Sequence, residues 1–354
     1  MNSNNQEKLE RANLYENEKE WLKAAKLYEE LIEEDNSIEL IEKTGWCYSR
    51  AADYNKAIYH FNNLAQKQPS SAKWFYMLGF QYYQQQKWDK AIEYFEQALK
   101  IYPKYFIVKY RLGYAYIKNV GYFQQLKSPY LWKALRQFDD CHDIWQSYSP
   151  AEQEKAQSTY SDILFQHGKA LLLIEDKRQE AIVYFSKSLQ IKENADCRYN
   201  LAKAYYLQKD YNLAKKNLFS SKKYYEKELS CKIEFALGNY EKAINILNFL
   251  LSFRKKYYLY NLKAEILFAQ KKYNEALNNI YESLKLNKNN HKTYFMMAKI
   301  LLEMDKLEEA KQNLLKAKQL KKKHYEAEDD NIIKLEEFIN ENLKKIKTAT
   351  NKIS

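Results

Sequence analysis

Glycine and proline are scarce, at 6 and 4 residues in a chain of 354. A β-sandwich or barrel needs such residues at many tight turns, so this composition argues against a β-rich fold. The same scarcity leaves no loop able to cradle a phosphate. No G-x-G-x-x-G, Walker, H-E-x-x-H or G-x-S-x-G pattern occurs. The 4 cysteines (Cys47, Cys141, Cys197 and Cys231) lie far apart with no C-x-x-C spacing, which offers no zinc or disulfide framework. The 5 histidines are scattered. Cys141, His142 and Asp143 are adjacent in sequence, but neighbours on a helix point in different directions. No run approaches the roughly 18 apolar residues of a membrane span. The best stretch, residues 244–253, is short and broken by Asn and Ser. Residues 1–11 are polar and carry no secretory core. These absences lead to the expectation of a non-catalytic, cytoplasmic chain with no cofactor, no metal and no membrane span.

What is present is aromatic. Phe, Trp and Tyr make up 16% of the chain, with 33 Tyr, which is ample apolar surface for a long core. A small-aromatic pair, Ala-x-x-x-Phe, recurs: Ala57 with Phe61, Ala91 with Phe95, Ala134 with Phe138 and Ala181 with Phe185. Ala24 with Tyr28 is a weaker form. Ala214, Ala243, Ala276 and Ala310 continue the series, followed by Leu218, Leu247, Ile280 and Leu314. The usual step is 33 or 34 residues. A period of that length means stacked helix pairs, each too small to bury its own apolar face.

One segment shows the pattern best: Phe75, Leu78, Gly79 and Tyr82, then Ala91, Phe95, Ala98 and Pro103. Apolar residues at i, i+3, i+4 and i+7 give one buried helical face. Gly79 and Ala91 are small where two helices cross closely, and Pro103 ends the second helix. The segment resembles the tetratricopeptide repeat, with Phe75 in the Trp slot of W-x2-L-G-x2-Y. Gly45, Tyr48, Ala57, Phe61 and Pro69 repeat it, as do Leu112, Gly113 and Tyr116. The resemblance implies an all-α, right-handed α-solenoid of nine helix pairs over residues 1–324, a capping helix over 325–348 and a frayed end over 349–354. The capping segment is amphipathic, with Ile332, Leu335, Phe338, Ile339, Leu343 and Ile346 on one face. It serves either as a cap or as a partner-binding helix.

Two departures adjoin. Residues 119–131 are an insertion with Gly121, Ser128 and Pro129, and residues 149–161 lengthen the next first helix. Ser149, Pro150 and Glu152 read as its capped start. Tyr122, Phe123, Tyr130, Trp145 and Tyr148 are then either exposed or folded back and buried locally.

The resemblance places two residues of each first helix, four apart, in a concave groove. The slots of interest hold Trp46, Tyr76, Phe80, Tyr110, Tyr114, Tyr199, Lys203, Lys232, Phe295 and Lys299. Some members of the family clamp a terminal carboxylate with Lys, Asn and Arg. Here the first slots hold Leu9, Glu42, Trp46, Tyr76 and Phe80, a departure from that clamp. The rings either anchor a ligand or pack between repeats.

Charge is uneven. The formal net charge is +12, and residues 201–300 alone carry 19 basic against 8 acidic groups. Two functions follow. The leading one is a scaffold that binds a protein or peptide in the groove. The alternative is a nucleic-acid- or ribonucleoprotein-associated adaptor using the basic region 201–300.

Overall fold

The computed structural model describes residues 3–119, 129–218, 223–324 and 330–353. Among these the chain forms nineteen α-helices and no strand. They come as consecutive antiparallel pairs: α1 (Ser3–Asn17) with α2 (Trp21–Glu34), α3 (Ile38–Arg50) with α4 (Tyr54–Lys67), and α5 (Ala72–Gln84) with α6 (Trp88–Ile101). Next are α7 (Phe106–Asn119) with α8 (Pro129–Ser147) and α9 (Pro150–Leu171) with α10 (Arg178–Ile191). Then come α11 (Ala195–Leu207), α12 (Tyr211–Asn217), α13 (Tyr224–Ala236) and α14 (Tyr240–Phe253). The last are α15 (Tyr257–Ala269), α16 (Tyr273–Leu286), α17 (His291–Glu303), α18 (Leu307–His324) and α19 (Asp330–Ile353). The fold is an all-α solenoid. Packing divides the chain into two compact units, Met1–Ala204 and Tyr205–Ser354.

Within a pair, the crossing is set by a ring against a bare backbone. A Cβ placed on Gly45, Gly79, Gly113 or Gly168 would lie 2.9, 2.6, 2.7 and 2.7 Å from the ring of Phe61, Phe95, Phe138 and Phe185 respectively. All four rings are fully buried, and each contributes about 1.5–3 kcal/mol of burial. The second unit solves the same crossing differently. Cys231, Ala264 and Ala298 take the small position, and Leu247, Ile280 and Leu314 replace the ring. Small residue and partner vary together in volume, as close packing demands.

The turn inside a pair is also repeated. Lys19, Ala52, Gln86, Lys209, Lys271 and Asp305 all have φ between 58 and 66°, and Gly238 has φ 79°. The next residue donates its N–H back across the turn: Asp53 to the Tyr48 carbonyl at 2.9 Å, Lys87 to Tyr82 at 2.9 Å, Lys306 to Leu301 at 3.0 Å. This is the Schellman closure of a helix end. Six of the seven positions do without glycine, at a cost on the order of 1 kcal/mol each.

The irregular centre is partly described. Residues 120–128, with Tyr122 and Phe123, lie outside the described residues. Of the rings read as candidates for exposure, Tyr130 stacks on Tyr116 at 5.4 Å and Trp145 on Tyr160 at 4.0 Å. Tyr148 meets Phe106 at 5.5 Å. All three are half-buried, so these rings fold back as local packing. Trp132, at 57%, is an exposed ring among the described residues there. The helix α9 starts as read: the Glu152 carboxylate accepts from the Ser149 N–H at 2.8 Å and its hydroxyl at 2.6 Å. At the other end, α19 lays Ile332, Leu335 and Ile339 against the cluster of Met297, Leu301 and Leu314. Lys318 on α18 pairs with its Glu336 at 2.8 Å. The sequence pattern ends this helix at Lys347 with a frayed 349–354; the helix runs on to Ile353.

Two expected outcomes follow from the core. Gly79→Ala should cost about 1–3 kcal/mol by overpacking against Phe95. Combining it with Phe95→Leu should recover part of that loss, because the pair then has the composition found in the second unit. Denaturant melts of the two single variants and the double variant check this, and strictly additive losses would show that the ring and the glycine are uncoupled. The second outcome concerns His167, which is 3% exposed, between Phe138 at 5.6 Å and Tyr184 at 4.0 Å. Burial first, and then the charge of His142, holds its pKa down to about 4. The unfolded chain therefore takes up a proton near pH 6.5 that the folded chain refuses. Stability should fall by roughly 3 kcal/mol as pH drops from about 6.5 to 4. His167→Gln should flatten that stretch of the stability–pH curve.

Candidate functional site

In the first unit, each pair contributes one face of its first helix. Trp46, Tyr76, Phe80, Tyr110, Tyr114, Tyr199 and Lys203 are all half-buried there. They do not form one row. Trp46 stands apart, edge-on to Phe61 at 6.2 Å, with the Arg50 guanidinium 5.9 Å from its ring. Tyr76 and Phe80 belong to a cluster. Tyr76 lies 6.2 Å from Phe80, 6.2 Å from Phe95 and 5.5 Å from Tyr105. Phe80 continues to Tyr83 at 6.4 Å, and Tyr83 to Trp88 at 5.4 Å and Tyr114 at 5.7 Å. Part of each ring is thus packing between pairs, and part is surface.

A cation sits on this cluster. The Arg111 guanidinium lies 4.1 Å from the centroid of Phe80, 5.6 Å from Tyr76 and 5.7 Å from Tyr83. Its Nε is buried without a hydrogen-bond partner. Burial, aided by the neighbouring Tyr114, pushes the Tyr83 hydroxyl up to about 12, and burial raises Tyr110 as well. Further along the same face of α7, Lys118 lies 5.3 Å over Tyr114. On α9, Lys169 lies 5.3 Å over Phe165. Burial and then the charge of Lys118 hold the Lys169 ammonium below its usual pKa; Lys203 adds to this and Asp196 opposes it. The groove slots of the sequence pattern miss Tyr83, Arg111, Phe165 and Lys169. The signal was there: Arg111, Tyr114 and Lys118 are spaced i, i+3 and i+7, one helical face.

In the second unit, Phe295 and Lys299 line a hollow of about 460 Å³ together with Phe235, Phe268, Met296 and Ile332. Lys299 lies 5.3 Å over the Phe268 ring. Glu265 is at the rim of the hollow, where crowding by protein raises its carboxyl pKa against the pull of Lys299, Lys292 and Lys232. Lys232 is engaged locally, paired with Glu228 at 2.7 Å. Other lysines of residues 201–300 are engaged too. Lys215 and Lys242 both pair with the buried Glu234, at 3.0 and 2.9 Å, and Lys227 covers Phe249 at 4.7 Å. Lys222 lies outside the described residues.

All four cysteines are buried. Burial pushes the thiols of Cys47 and Cys231 up to about 12 and that of Cys197 up to about 11, and it raises Cys141 further. Among the described residues no group of three or more His, Cys, Asp or Glu is placed to hold a metal ion. No helix among them is long and apolar enough to cross a membrane.

Comparison with known proteins gives partial matches. Residues 72–105 and residues 41–71 each match a family model described as tetratricopeptide repeat. Residues 236–317 match a model described as anaphase-promoting complex, cyclosome, subunit 3. No curated protein matches the chain. Among solved structures, it is similar to a crystal structure of MamA protein, at 20% identity over 54% of this chain and 93% of that one, with a TM-score of 0.42. A tetratricopeptide repeat protein from Parabacteroides merdae ATCC 43184 is similar at 19% identity over 88% and 98%, with a TM-score of 0.34. A structure described as functional characterization of Pseudomonas aeruginosa pilF is similar at 15% identity over 61% and 90%, with a TM-score of 0.47.

The thiols give a direct check on the core. At neutral pH the folded chain should resist alkylation at all four cysteines, because thiolate is the reactive form and burial suppresses it. Denaturant should expose all four. Rapid alkylation of any one in the native state, read by mass spectrometry, would place that residue at the surface.

Proposed function

We propose, for a chain that belongs to the tetratricopeptide repeat family, a non-catalytic scaffold that binds a segment of a partner protein along its first-helix faces. The observation that carries this reading is the half-exposed aromatic cluster of Tyr76, Phe80, Tyr83 and Tyr114 under Arg111. Tyr, Trp and Arg are the residue types that anchor interfaces, because they offer large rigid area at a small ordering cost. The cluster is held by four helices, α5 to α8, whose own crossings are locked by buried rings, so the surface exists before the ligand arrives. The hollow around Phe295 and Phe268 supports the same reading in the second unit, as a socket for one apolar side chain. The basic stretch 201–300 gives less support to nucleic acid, since Lys215, Lys232 and Lys242 are engaged with carboxylates of the chain itself.

The test is hydrogen exchange on the full chain with a peptide selected against it from a random library. Protection should appear on α5, α7 and α9. Phe80→Ala, if its melt is native-like, should weaken binding by about 2 kcal/mol, roughly thirtyfold. Protection confined to the second helices α6, α8 and α10, with Phe80→Ala binding normally, would overturn the proposal.

A further inference from the structure

Three cations on the first helices α7 and α9 stand apart from the ion pairs of their neighbours, such as Lys73 with Glu42 and Lys43 with Glu39. Arg111 and Lys118 on α7 and Lys169 on α9 form no ion pair among the described residues, whereas Lys109, on another face of α7, takes Asp140 at 2.5 Å. Each of the three lies over a ring instead: Arg111 over Phe80, Lys118 over Tyr114 and Lys169 over Phe165. The ends of α7 and α9 account for part of this, because a lysine in a last helical turn answers the helix dipole. They do not account for Arg111, which sits in mid-helix with a buried, unsatisfied Nε, nor for bringing Lys118 near Lys169. The two helices pack against each other, and after burial the charge of Lys118 is the next cause that lowers the Lys169 pKa.

Resting on the groove reading above, we propose that this face binds an acidic peptide segment of a partner, its Asp or Glu carboxylates seated between Arg111, Lys118 and Lys169 and its apolar side chains against Phe80 and Tyr114. Charge complementarity selects the occupant. A carboxylate placed between the two lysines relieves their repulsion, and a planar carboxylate suits the guanidinium fork of Arg111. Single-stranded nucleic acid is the other ligand that combines anions with rings, and the geometry disfavours it. Its bases need an open ring face to stack on, and the cations lie over those of Phe80, Tyr114 and Phe165, whereas an aliphatic side chain can pack against a ring edge.

The test uses the full chain and three fluorescent probes of equal length: a peptide of alternating Glu and Leu, its twin with Gln for Glu, and oligouridine. Anisotropy titrations at low and high salt should show the Glu peptide binding at least about tenfold tighter than the Gln twin, an advantage that shrinks with salt. Lys118→Gln with Lys169→Gln should erase that advantage; Lys118 is exposed and Lys169 half-buried, and circular dichroism checks that the variant folds. In the wild-type chain, the Glu peptide should slow acylation of Lys118 and Lys169 by an amine reagent. Equal binding of both peptides, or tighter binding of oligouridine, would overturn the inference while leaving the groove in place. Binding of neither peptide would remove the groove reading itself, and the inference with it.

Discussion

A phenyl ring resting against a helix that has no Cβ sets how near the two helices of a pair approach. In the pairs built on Gly45, Gly79, Gly113 and Gly168, any larger residue would enter the ring. That closeness fixes the axis separation, and the separation fixes where the outward-facing residues of each first helix emerge. Tyr76 and Phe80 stand where they do because Gly79 and Phe95 meet beneath them. Tyr76 even touches the locking ring, at 6.2 Å from Phe95. The surface proposed to receive a partner and the core that holds the pair together are therefore two sides of one contact.

The glycines are thus allotted by volume and not by backbone angle. Four of the six lie in helices at crossings, and one, Gly238, supplies a left-handed turn. The equivalent turns elsewhere put Lys, Ala, Gln or Asp in the left-handed region. These residues bear their strain because the helix on either side is already pinned by its crossing. The chain accepts small repeated costs at turns and keeps its glycine for places where a methyl group has no room.

Much of this was legible in the sequence, because it is local. The spacing from Gly79 to Ala91 and Phe95 is within one pair, and a 34-residue period repeats it until it cannot be missed. The starting cap of α9 was readable for the same reason, as three residues in a row specify it. The candidate surface was only half legible. Slots four apart on each first helix gave Tyr76, Phe80, Tyr110 and Tyr114, but not Tyr83 or Trp88, which reach the cluster from a helix end and from the second helix α6. Lys232 looked available and is taken by Glu228. Tyr130, Trp145 and Tyr148 could be read as exposed or as folded back, and each meets a ring brought close by the fold. What a side chain meets across helices depends on rotamer and axis geometry, which one helix's periodicity does not encode.

The graded crossings also bear on how so repetitive a chain avoids confusing its own parts. Nine similar helix pairs could in principle exchange partners during folding, as tandem repeats are prone to do. Here a phenyl-bearing second helix of the pairs α3/α4 to α9/α10 rests on a glycine with no room for a Cβ. Set against Ala264 or Ala298 it would collide, and an aliphatic second helix from the latter half would leave a void beside Gly79 or Gly113. Both errors carry a packing penalty. Residue volume at one position per pair thus acts as an address, telling each helix which half of the chain it belongs to.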